Sequence, residues 1–179
     1  LNARGHAQLR VEGVDALETH YQGYHQPMKL ARAACRYLLS YLGIDEVVWD
    51  ESQSRVIKAQ DETEGYILAG STEANRRPVA FVFAGGIEHR DGSEVILDES
   101  ILKRSLNYGL IARGLDYPTY YNGLFSDLRL PLTRAMAHAR SEGRGIWPCD
   151  LTTKGFFVPS LEPLTENVVI LPKLFRRLV

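Results

Sequence analysis

The sequence holds only two cysteines, Cys35 and Cys149, among its 179 residues. So few thiols exclude a disulfide framework and a cysteine-rich zinc site. Cys35 lies in an apolar helical stretch, where a buried, inert thiol is the default. The five histidines, His6, His20, His25, His89 and His138, lack the paired spacing of a helical zinc site. No apolar run approaches the roughly 18 residues that a membrane span requires. Net charge is scarce too, at a formal -1, which gives no support for tight, purely electrostatic binding of nucleic acid. A basic site on a neutral surface stays compatible with that balance, as in an enzyme that must release a polynucleotide product. Internal repeats and low-complexity segments are lacking. The chain opens at Leu1 without a signal peptide, and residues 1–14 read as an incoming strand whose hairpin partner lies upstream.

What is present fits one globular domain of ordinary composition, 45% hydrophobic and 24% charged, long enough to bury a core without staples. The stretch that organises the rest is Leu9-Arg10-Val11-Glu12-Gly13-Val14-Asp15-Ala16-Leu17-Glu18. Leu9 and Val11 alternate with Arg10 and Glu12, the period of a half-buried strand. Gly13 interrupts the run and marks a bulge or bend. An unbroken strand would put Arg10 and Asp15 on opposite faces; a bend brings them together. Asp15 and Glu18 are spaced for one side of a helical turn. Two readings are open at this point, a phosphate-and-cation site and a salt-bridged loop.

Further along, Pro27 suits the start of a helix, and Leu30, Ala31, Ala34, Leu38 and Leu42 form its apolar stripe up to Gly43. Strands are expected at Glu46–Asp50, Ser54–Ala59, Gly65–Ala69, Val79–Phe83 and, after the Asp91-Gly92 turn, Val95–Leu97. The unbroken apolar run of Val79–Phe83 suggests burial on both faces. A second helix is expected over Glu99–Ala112 and a third from Pro131 to Gly143. Residues 151–179 have a different texture, proline-rich with a short apolar run and a basic end, and read as an extension packing on a domain of residues 1–150. Strands clustered before appended helices argue for an α+β fold around a small barrel.

With Arg77 placed just before its strand, the chain resembles the staphylococcal-nuclease family. The matching residues are Arg10, Asp15 and Glu18 in LRVEGVDALE, and Arg77 in RRPVAFVF. Two later segments match in order: ARGL at residues 112–115 with a tyrosine-bearing loop after it, and LTRAMAHARSEGRGIW ending at Trp147. The resemblance covers roughly residues 8 to 150. It implies a five-stranded OB-fold barrel with three helices, the first strand missing from this chain. It also implies a calcium-dependent nuclease that hydrolyses phosphodiester bonds of DNA or RNA. Arg10 and Arg77 would clamp the phosphate bidentately. Asp15 would bind Ca2+, with help from the backbone carbonyl of Ala16. Glu18 would orient or deprotonate the attacking water. Tyr120 aligns with a tyrosine that contacts the nucleotide, while Tyr117 and Tyr121 read as structural.

The chain also departs from the family. The second calcium-binding Asp would fall before Leu1, Ala74-Asn75 replace a Lys-Tyr pair, and Ala16-Leu17 replace a small-residue-Pro pair. The alternatives are a catalytically inactive nuclease-like module that binds nucleic acid or protein, and a hydrolase of small phosphodiesters if residues 60–75 cover the site.

Overall fold

In the computed structural model, residues 5–51, 55–60 and 62–179 are described. Leu1–Arg4 of the expected incoming strand, Ser54 of the expected third strand and Asp61 of the polar loop lie outside the described residues. The architecture is mixed α+β, with six α-helices and three small sheets among the described residues.

The Gly13 break is real and divides the organising stretch between two sheets. Strand β1 (Arg10–Val11) pairs in parallel with β6 (Pro78–Ala84), placing Arg10 opposite Val79. Gly13 then takes φ +76°, a region that a side chain adopts only with strain. Strand β2 (Val14–Asp15) leaves at that bend to pair antiparallel with β7 (Tyr117–Pro118). Arg10 and Asp15 are therefore on different strands, and their relation is set by the bend rather than by alternation.

The remaining strands follow the apolar pattern in part. Strand β5 (Gly65–Thr72) forms a hairpin with β6, with a register shift between Ala69 and Ser71. Strand β6 buries Ala80, Phe81, Val82 and Phe83 in succession, as a continuous apolar run should. Strands β3 (Val48–Trp49) and β4 (Val56–Lys58) form a separate ladder. The described ladders form three small sheets. The expected strand at Val95–Leu97 is irregular instead, and Ile96 is exposed. These residues lead directly into Asp98, whose carboxylate caps the next helix at the Ile101 N–H (2.8 Å).

Helix α1 (Met28–Tyr41) buries Ala31 and Ala34 on the face the stripe marks. The second expected helix is two helices, α2 (Glu99–Leu102) and α3 (Leu106–Ala112). Ser105 divides them, because its hydroxyl accepts from the Tyr108 N–H and so acts as an N-cap inside the run. Gly109 makes room for the Tyr37 side chain of α1, whose hydroxyl a Cβ there would strike. Helix α4 (Ser126–Ser141) begins earlier than the expected start and carries Pro131 inside it. Lacking an N–H, Pro131 leaves the Asp127 carbonyl without its usual i+4 donor. The buried series Leu128, Leu132, Ala135, Ala139 holds the helix together through that gap.

The C-terminal residues pack in earnest. Helices α5 (Glu162–Glu166) and α6 (Pro172–Leu178) enclose Leu164, Ile170 and Phe175, each fully buried. Burial of each such side chain stabilises the fold by roughly 1.5–3 kcal/mol. Val169 joins a second cluster with Leu17, Tyr117, Ala139 and Trp147, so the segment shares a core with the residues beside the organising stretch. The Leu151 N–H donates to the Val169 carbonyl (2.9 Å), and the Leu171 N–H to the Thr152 hydroxyl (3.0 Å). Both cysteines are free thiols. Among the described residues no helix is long and apolar enough to cross a membrane.

Candidate phosphate site

The site is built on the bend. Leu17 is buried in the core, and this anchors the irregular segment 16–18 that carries Asp15 at one end and Glu18 at the other. The segment is not the helical turn that the spacing suggested. The two carboxylates nevertheless converge, because one guanidinium from α6 joins them. Arg176 Nη1 donates to Glu18 Oε1, and Arg176 Nη2 lies 3.4 Å from Asp15 Oδ2.

Asn107 and Gln26 hold this arrangement, and both are fully buried. Asn107 Oδ1 accepts from the Val82 N–H (3.0 Å), while its Nδ2 donates to the carbonyls of Glu12 (2.7 Å) and Ala80 (3.1 Å). One side chain on α3 thereby fixes β6 to the bend. Gln26 Oε1 accepts from the Glu18 N–H (3.1 Å), and its Nε2 donates to the Ile170 carbonyl (2.7 Å). Gln26 thus ties the Glu18 backbone to the C-terminal segment. Neither residue was singled out in the sequence, since a lone Asn in a helix or Gln in a polar loop carries no pattern.

Arg10 projects to Tyr121, donating from Nη2 to the hydroxyl at 2.8 Å with its guanidinium carbon 4.9 Å from the ring centroid. Lys173 Nζ approaches the same ring at 4.6 Å. The tyrosine that meets the site's cations is therefore Tyr121. Tyr120 is half-buried against the main core cluster, its hydroxyl 3.0 Å from that of Thr133. Tyr117 is buried and structural, with its hydroxyl donating to Asp150 (2.7 Å) and its ring edge-on to Trp147.

Arg77 stands apart. It closes the β5–β6 hairpin, where its Nε binds Glu73 Oε1 at 2.9 Å. That hydrogen bond holds the Glu73 carboxyl below its usual range and raises Arg77. Arg77 also lines a surface recess of about 640 Å³ with Gln8, Asn75, Arg76 and Pro78. In backbone terms it precedes Val79, the partner of Arg10, by two residues. Arg176 joins Asp15 to Glu18, Arg10 binds Tyr121 and acts on Asp15 through its charge, and Arg77 and Tyr120 are engaged by Glu73 and Thr133.

Burial dominates the electrostatics. It raises the Asp15 carboxyl above the ordinary range, while Arg176, Lys173 and Arg10 pull against it. Burial also raises Glu12, beside the bend. Asp116 is fully buried, with one carboxylate oxygen unpartnered among the described residues. Desolvation, with a smaller contribution from the Asp15 charge, moves it up to about 7.

No family model matches the chain, and no curated protein matches it.

Proposed function

We propose that the chain is a phosphodiesterase acting on nucleic acid, with the OB-type barrel and nuclease character that the staphylococcal-nuclease resemblance implies. The observation that carries this reading is the joining of Asp15 and Glu18 beside the Gly13 bend, with Arg10 acting on Asp15 and bound to an exposed tyrosine. A phosphodiester needs its non-bridging oxygens neutralised as the pentacoordinate state forms, and a guanidinium does this bidentately. Arg10 takes that role, with Lys173 adding positive charge at the same tyrosine. Tyr121 supplies a ring for a base to stack on. Glu18 engages Arg176 through Oε1, which leaves Oε2 to orient a water and accept its proton. Arg77 would join the phosphate clamp only on leaving Glu73.

Calcium, the cofactor of the resemblance, takes six to eight oxygen ligands. The described residues offer the Asp15 and Glu18 carboxylates and the Ala16 carbonyl, and a guanidinium already spans both carboxylates. As placed, this set does not fit a calcium ion.

The second reading is a nuclease-like module that binds nucleic acid or protein without cleaving it. The pairing of both carboxylates with Arg176, and of Arg77 with Glu73, favours it. Incubation of the wild type and Arg10→Ala with single- and double-stranded DNA and RNA separates the two. Cleavage that disappears in a folded Arg10→Ala supports the enzyme; oligonucleotide binding without any cleavage supports the module.

A further inference from the structure

We propose that Arg176 is the resident cation of the Asp15–Glu18 pair, a fixed guanidinium held where the nuclease resemblance would put a calcium ion beside Asp15. Charge, reach and anchorage carry this. One guanidinium engages both carboxylates, with side-chain exposures of 14% for Asp15 and 18% for Glu18, so the pair faces Arg176 more than solvent. Lys173, one turn earlier on α6, and Arg10 also act on Asp15. Asp15 thus meets three positive groups, with buried Asp116 as a further acid that its charge acts on. A divalent cation entering this site must compete with a guanidinium for carboxylates that are already engaged.

The anchorage makes Arg176 part of the site rather than a strap across it. The residue before it, Phe175, is fully buried with Leu164 and Ile170. Gln26 joins the Ile170 carbonyl to the Glu18 N–H, so the carboxylate and the segment that delivers the guanidinium share one buried amide. The parallel bridge between Asp150 and Val169 and the Leu171–Thr152 bond fix the chain just before α6. Moving α6 away would expose Phe175 and strip Ile170 of its packing partner. The anchored helix therefore keeps Arg176 within reach of both carboxylates.

The inference concerns the counter-charge of the carboxylates and is tested without any substrate, so it is separable from the nuclease reading. Calcium is titrated calorimetrically into the full 179-residue chain, as wild type, Arg176→Gln and Asp15→Asn/Arg176→Gln. Arg176→Gln should bind calcium at least roughly tenfold more tightly than wild type, and the double variant should lose that gain. Equal affinity in wild type and Arg176→Gln, or a gain that survives Asp15→Asn, overturns the proposal. If Arg176→Gln does not fold, the wild type decides through its melting temperature in millimolar calcium. No shift upholds the resident cation; a rise that Asp15→Asn abolishes overturns it.

Discussion

Arg176 Nη1 meets Glu18 Oε1 across 158 positions of the chain, joining the last helix to the loop that follows the Gly13 bend. The same guanidinium reaches Asp15 through Nη2. The two candidate acids are therefore ordered by the C-terminal segment as much as by their own strand.

Removing that guanidinium should destabilise the fold. Arg176→Gln leaves two largely buried carboxylates without their principal cation, and breaking such a pair costs more than the pair itself contributes. Because the guanidinium is 29% exposed, the expected loss is only about 1–3 kcal/mol. Urea denaturation measures it. An unchanged midpoint would mean that the contact carries no net stability.

Asn107 should be costlier to lose than its position on a short helix suggests. Asn107→Ala strands the Glu12 carbonyl and the Val82 N–H, and leaves the Ala80 carbonyl only the Glu12 N–H. The expected loss is roughly 2–4 kcal/mol. Amide exchange should quicken first at Glu12 and Val82, where β1 is tied to β6. A loss confined to α3 would contradict this role.

Stability should fall with rising pH through Asp116. Its folded pKa of about 7 compares with an unfolded value near 4. Between those values the folded chain keeps a proton that the unfolded chain releases, so stability declines as pH rises through the window and levels off above it. This single group accounts for about 4 kcal/mol across the window, as an order of magnitude. Asp116→Asn should flatten the decline and be the more stable protein above pH about 7. Thermal melts of both proteins across the window provide the check, and parallel profiles would contradict the assignment.

The two tyrosines should part company in binding. Tyr121→Ala removes the ring beside Arg10 and Lys173 and should weaken binding of a single-stranded oligonucleotide roughly tenfold. Tyr120→Phe loses only the Thr133 contact and should leave affinity unchanged, at a stability cost of about 1 kcal/mol. Fluorescence anisotropy on both variants reads the difference. A larger binding loss in Tyr120→Phe would return the nucleotide contact to that residue.

Features with a local cause were legible in the sequence. The stripe from Leu30 to Leu42, the apolar run of β6 and the Gly13 break each follow from spacing that neighbouring residues fix. The joining of Asp15 to Glu18 could be anticipated, but its agent could not. Pro172 followed by Leu174, Phe175 and Leu178 is a short amphipathic helix signal, yet nothing within it says which acids Arg176 will meet. Ser105 and Pro131 misled for a related reason. A serine within an apolar stripe reads as a solvated helix position until its hydroxyl is seen capping Tyr108. A proline reads as a helix start until Leu128 is found buried on the same face as Leu132. Asp116 gave no signal, because a carboxylate in a tyrosine-rich loop is normally solvated.

The most direct test of the phosphodiesterase claim is the single-turnover cleavage rate of DNA and RNA oligonucleotides by wild type and Glu18→Gln, each shown to be folded, with calcium and with chelator. The wild type should cleave, and Glu18→Gln should do so at a rate lower by roughly 10²–10⁴-fold. A folded wild type that cleaves none of the substrates in either condition, or a Glu18→Gln that cleaves at the wild-type rate, would contradict that claim.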